Sequence, residues 1–194
     1  MVDLVSIRRT AGSRIAGPIV GVLSRTGISP NAVTSLSLAL SVATAGLVAT
    51  GHFLLGGLLV LVSGLCDLLD GALARSTKRT TRFGAILDST VDRASEAIVF
   101  CGLLIWYLPR GAALVPVLIL VALIASFLVS YIRARAEGLG LQCQVGLFTR
   151  AERVIVLAVG LLVDQVIIAL WVLVVFACVT VAQRLLYLWK QGNS

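Results

Sequence analysis

The sequence predicts an all-α integral membrane protein, with six transmembrane helices preceded by a basic amphipathic juxtamembrane helix. Three observations carry that prediction. Of 194 residues, 59% are hydrophobic and only 13% are charged, about half the charged share of a soluble domain. The mean hydropathy is +1.04. The apolar residues gather into runs suited to a hydrocarbon layer about 30 Å thick. The expected organisation is a cytoplasmic surface segment over residues 1–27 and one membrane domain over 28–194.

Residues 1–27 set Arg8, Arg9, Arg14 and Arg25 against Leu4, Val5, Ile15, Ile19 and Leu23, as in a helix lying along a membrane surface. Gly17, Pro18 and Gly21 interrupt it. The same breaks leave no continuous apolar core for a removable signal peptide. The first span, about 31–50, opens with Pro30 and a capping Asn31. The second, 53–75, follows a short turn holding the single histidine, His52. The third and fourth cover 84–108 and 112–136. The fifth, 152–167, is short, and only Asp164 and Gln165 punctuate its border with the sixth, 168–189.

Six spans put 15 of the 16 lysines and arginines on one side, with Arg110 alone opposite. By the positive-inside rule that side is the cytoplasm, holding both termini. The net charge of +7 is thereby explained by orientation and anionic lipids, and no nucleic-acid partner is expected. Cys66, Cys101, Cys143 and Cys178 are scattered without a CxxC pair, which argues against a zinc site or a disulfide framework. With one histidine in a turn, a His-dependent triad is excluded. Chemistry here must use carboxylates, arginines and a metal.

Five of nine acidic residues fall within 30 positions: Asp67, Asp70, Asp88, Asp92 and Glu96. Asp67 and Asp70 share a helix face at the cytoplasmic end of the second span, and Asp88 and Asp92 share one near the start of the third. The basic loop between them turns the chain back so that the pairs face each other. Four carboxylates at membrane depth repel one another, and hard oxygen ligands converging from two helices suit Mg²⁺, Mn²⁺ or Ca²⁺. Gly71, Ala74 and Gly84 leave room for a bulky ligand, and Arg75 offers a cation suited to phosphate.

Read from Asp67 through Asp70, Gly71, Ala74, Arg75, Gly84 and Asp88 to Asp92, the residues match the signature of the CDP-alcohol phosphotransferase family in every position and spacing. The resemblance covers essentially the whole chain. It implies displacement of CMP from a CDP-linked lipid by an alcohol. Two divalent cations, Mg²⁺ or Mn²⁺, would be held by Asp67, Asp70, Asp88 and Asp92, with Asp92 also the general base. Asp67, Gly71, Ala74, Arg75 and Gly84 would bind the CDP-lipid, and Asn31 and Thr34 resemble an element that relatives place beside the nucleotide.

Outside the signature, "LDSTVDRASEAIVFCGLL" and "SYIRARAEGLG" resemble actinobacterial phosphatidylinositol-phosphate synthases. This implies CDP-diacylglycerol and inositol phosphate as substrates, with Arg133, Arg153 and Arg184 cradling the acceptor phosphate. It also implies a homodimer in the cell membrane. Glycerol-3-phosphate is the rival acceptor. A cation transporter is disfavoured because the acids gather at one edge and leave no carboxylate path across the bilayer. A structural adaptor would not need four mutually repelling acids.

Overall fold

The computed structural model of the chain describes residues 29–76, 81–111 and 113–192. Every regular element among them is helical. In order they are α1 (Pro30–Ala49), α2 (Phe53–Ser76), α3 (Arg82–Tyr107), a 3-10 turn (Leu108–Arg110), α4 (Leu114–Gly138), α5 (Arg150–Leu162) and α6 (Val166–Gly192). The surface helix expected over 1–27 lies outside the described residues.

Among the described residues four helices are long and apolar enough to cross a membrane: Asn31–Ala49, Phe53–Ala74, Leu114–Gly138 and Val166–Gly192. The other two depart from that pattern for different reasons. α3 has 26 residues, but Arg82, Asp88, Asp92, Arg93 and Glu96 crowd the part from its start to just past its middle. α5 has only 13 residues, about 20 Å of rise.

Two local expectations shift. The cap of α1 is Ser29, whose Oγ accepts from the Ala32 amide at 3.2 Å, because Pro30 takes the first helical position and pushes Asn31 into the first turn. The border between the last two helices falls earlier than expected. Asp164 adopts a left-handed φ of 54°, a conformation aspartate tolerates better than most residues. The Gln165 amide then closes the turn on Gly160 O at 2.8 Å, and α6 starts at Val166.

α1 packs along both α2 and α3, α4 along α6, and α5 lies between α2 and α6. The α1–α3 approach is backbone to backbone: a Cβ added at Gly102 would stand 2.5 Å from Ala45 O and 2.8 Å from Ala45 Cα. An apolar core including Val48, Phe100, Leu103, Ile119, Leu161 and Leu170 fills the half of the bundle away from the aspartates. Nearer them, Val33, Leu69 and Leu73 seal α1 against α2. Leu54, Ile105, Val117, Ile124, Ile168 and Leu186 remain exposed on the outside, as lipid-facing positions should.

α1 does not bury a purely apolar face. Thr34, Ser37, Ser41 and Thr44, spaced by three, four and three, are all at most 4% exposed, so one stripe of hydroxyls runs down the inside of the helix. Between α4 and α5 the irregular residues 139–149 lie against α6. There the Phe148 amide donates to Thr180 Oγ1 at 3.1 Å, the Leu147 amide donates to Gln183 Oε1 at 3.3 Å, and Arg184 Nε donates to Val145 O at 3.0 Å. Side chains of α6 thus satisfy backbone groups that no helix satisfies.

Candidate active site: carboxylates and arginines at one end of the bundle

The hydroxyl stripe of α1 ends on the two aspartates of α2. Thr34 Oγ1 donates to Asp70 Oδ2 at 2.7 Å, and Ser37 Oγ donates to Asp67 Oδ1 at 2.5 Å. The other oxygen of Asp67 faces a cation: Arg150, the first residue of α5, places Nη2 at 2.5 Å from Asp67 Oδ2 and Nη1 at 3.0 Å from Asp92 Oδ1. One guanidinium therefore ties α2 to α3. Asp88 and Asp92 both lie within electrostatic range of Asp67, of Arg150 and of Arg93. The facing of the two pairs, expected from spacing, is realised for Asp67, Asp88 and Asp92. Asp70, 3% exposed, lies deeper, against α1.

The donor set suits a hard divalent cation: all-carboxylate oxygen, largely enclosed, with no imidazole within it. Among the described residues no three such groups converge closely enough to form a ready cage. Instead Arg150 supplies the compensating positive charge between Asp67 and Asp92. The Asp67 and Asp92 side chains, 7% and 18% exposed, share the positive charge of Arg150, a charge that a divalent cation would equally supply. Asp67, Asp70, Asp88 and Asp92 are the residues that would hold it.

Of the residues expected to bind the CDP-lipid, Asn31 and Gly84 meet across α1 and α3. A Cβ added at Gly84 would lie 3.5 Å from Asn31 Oδ1 and 2.9 Å from Thr81 Oγ1, the cap that accepts from the Gly84 amide. Gly71, Ala74 and Arg75 continue the last two turns of α2 from Asp70. The side chain of Arg75 lies outside what the structure describes.

The three arginines expected to cradle the acceptor phosphate differ from one another. Arg153, 2% exposed, is held in a fork by Glu96, Nε to Oε1 at 2.8 Å and Nη2 to Oε2 at 2.9 Å. Arg184 is also buried, and besides Val145 O it donates to Val129 O. Arg133 is exposed and pairs with Glu137 one turn on, at 2.8 Å. Arg184 nonetheless lies within electrostatic range of both Arg133 and Arg153, so the three helices that carry them converge in one positive region. Beneath Asp67 a cavity of about 40 Å³ is lined by Ser41, Ser63, Ser95, Glu96, Arg150 and Arg153 among apolar neighbours, enough for two or three waters.

Arg150, Ser37 and Ser63 stand outside the residues expected from sequence, and Glu96 enters there only as one of five clustered acids. Arg150 and Glu96 find their partners on other helices, which no local spacing encodes. The serines do carry a legible signal, a polar stripe at helical spacing within an apolar span.

With this geometry established, comparison with known proteins is informative. The CDP-alcohol phosphatidyltransferase family profile matches residues 27–182. The phosphatidylinositol phosphate synthase of Mycobacteroides abscessus is 39% identical over 188 residues, covering 92% of this chain and 86% of its own. Two crystal structures of the Mycobacterium tuberculosis phosphatidylinositol phosphate synthase share 38% identity with it. The one with CDP-DAG bound gives a TM-score of 0.81 over 91% of this chain and 94% of that one. The one in complex with manganese and citrate gives 0.80 over 89% and 88%.

Proposed function

The chain belongs to the CDP-alcohol phosphatidyltransferase family, and from that premise we propose that it transfers the phosphatidyl group of CDP-diacylglycerol to inositol phosphate, giving phosphatidylinositol phosphate and CMP. It is an enzyme of phospholipid biosynthesis and a multi-pass membrane protein. The observation that carries the reading is the gathering of Asp67, Asp88 and Asp92 from two helices around one cation, Arg150.

In the reaction, a hydroxyl oxygen of inositol phosphate attacks the phosphorus next to the diacylglycerol. The bond from that phosphorus to the CMP oxygen breaks, and CMP leaves. Asp92 accepts the hydroxyl proton, as a carboxylate within hydrogen-bond reach does in general-base catalysis. Asp67, Asp70, Asp88 and Asp92 would hold the divalent cations, Mg²⁺ or Mn²⁺, which when bound would supply positive charge for the pyrophosphate and the leaving group. Asn31, Thr34, Gly71, Ala74, Arg75 and Gly84 line the nucleotide side. The positive region of Arg133, Arg153 and Arg184 receives the acceptor phosphate.

All six helices cross the bilayer in this reading, α5 completing its passage through residues 139–149. Residues 1–27 lie along the surface ahead of the membrane domain of 28–194, the enzyme is a homodimer, and both termini and the site face the cytoplasm. The count of basic residues supports that orientation. Trp106 and Tyr107 at one end and Tyr187 and Trp189 at the other suit the two membrane interfaces.

The test is CMP release by the purified protein from CDP-diacylglycerol and Mg²⁺, offering inositol phosphate, free inositol and glycerol-3-phosphate separately. Release with inositol phosphate alone is expected, silenced by EDTA and restored by Mg²⁺ or Mn²⁺. Release with glycerol-3-phosphate instead would overturn the acceptor and keep the family.

A further inference from the structure

Ser37 is 0% exposed, stands in the middle of a helix otherwise fit for lipid, and spends its hydroxyl proton on a carboxylate. A serine has one proton to give. With that proton directed to Asp67 Oδ1 at 2.5 Å, its 2.9 Å contact with Ser63 Oγ must use the Ser37 oxygen as acceptor. Ser63 Oγ on α2 also reaches Ser37 O at 3.2 Å, so either way its proton goes to Ser37, and the Ser37 proton goes back to Asp67 on α2. Ser41 closes the group from one turn deeper, donating to Ser37 O at 3.0 Å and meeting Ser63 Oγ at 3.2 Å.

The consequence lies in how Asp67 presents its two oxygens. The terminal torsion of an aspartate is broad and nearly two-fold, so the side chain alone does not decide which oxygen faces which neighbour. Here Oδ1 is turned to α1 by Ser37, and Oδ2 is turned to the side where Arg150 places its positive charge. The Ser37 hydroxyl, itself 0% exposed, is the donor that fills this position. Without it, Oδ1 would lose its donor, and the carboxylate would be free to rotate both oxygens onto the guanidinium beside it.

We propose that Ser37 is a positioning residue for the cation site: by holding Asp67 Oδ1 against α1 it keeps Oδ2 directed to the divalent cation and prevents Arg150 from capturing both oxygens. This rests on the metal site proposed above. Ser37 does not touch substrate or cation. It acts through Asp67, as outer hydrogen-bond partners of metal ligands commonly do, with effects of about 10–100-fold on affinity.

The test is Mn²⁺ binding followed by the loss of the free-ion EPR signal, on the purified full chain without substrate. The unaltered protein is compared with S37A, with S37C, which fills the space with a weak donor, and with S37T, which keeps the hydroxyl. T44V serves as a control for packing, since Thr44 is equally buried on the same helix but donates only within it, to Leu40 O at 2.8 Å. S37A and S37C are expected to weaken Mn²⁺ binding at least tenfold, S37T to stay within about threefold, and T44V to leave it unchanged. Wild-type affinity in S37A and S37C, or equal weakening in S37A and T44V, would overturn the role of Ser37. Failure of the unaltered protein to bind Mn²⁺ would overturn the metal site with it.

Discussion

Arg153 and Glu96 meet two-to-two at 2.8 and 2.9 Å with side chains only 2% and 9% exposed. Taking two charges out of water is costly, and such a pair holds because each partner satisfies the other. Glu96→Gln would leave a buried guanidinium facing a neutral amide. The expected result is a loss of about 3–5 kcal/mol in stability, read as a lower midpoint of thermal unfolding in detergent. The fork also leaves Arg153 its Nη1 edge, the one suited to an incoming phosphate, so KM for inositol phosphate should rise more than KM for CDP-diacylglycerol. Equal changes in both constants would reduce Glu96 to a packing role. At this scale the sequence was only partly legible. The aspartates announced themselves by their spacing within one stretch of chain, whereas Arg150 and Glu96 find their partners on other helices, a relation that no local spacing encodes.

Helix α1 was expected to be an ordinary apolar span, and by hydropathy it is one. Its function in the bundle comes from what the average conceals, hydroxyls at Thr34, Ser37, Ser41 and Thr44 turned to one side. That side can come close because the neighbouring helix yields: at Gly102 the backbones of α1 and α3 leave no place for a side chain. Small residues at such crossings let dispersion contacts and interhelical hydrogen bonds replace a hydrophobic driving force that lipid does not supply. Gly102→Leu should push α1 from α3 and shift the line from Asn31 to Gly84 with it. We expect at least 1–3 kcal/mol of destabilisation by overpacking together with a fall in CMP release. A stable, fully active G102L would show that the α1–α3 spacing does not matter to the site. The helix limits were readable to within a few residues, and the exceptions have local causes. Ser29 caps ahead of a proline, and the left-handed Asp164 ends α5 before the apolar composition does.

Across the whole molecule, the sequence conveyed the helical class, the order of the helices, the shortness of the fifth and the place of the aspartates, since these depend on composition and period alone. It did not convey the course of residues 139–149, because the pinning of Leu147, Phe148 and Val145 to α6 is a relation between distant parts of the chain that no local pattern encodes. That shortness has a further consequence. Thirteen residues cover about 20 Å of a layer about 30 Å deep, so the lipid beside α5 meets a wall shorter than itself. Acyl chains there must compress or splay, and the bilayer becomes a mechanical element pressing on Arg150 and Arg153 at the head of that helix. Turnover should therefore depend on the thickness of the host membrane, even with every substrate saturating. Reconstitution into phosphatidylcholines of increasing chain length should give falling CMP release as the layer thickens, while the same enzyme in detergent keeps one rate. Indifference to chain length would mean that α5 is shielded from lipid by its own neighbours.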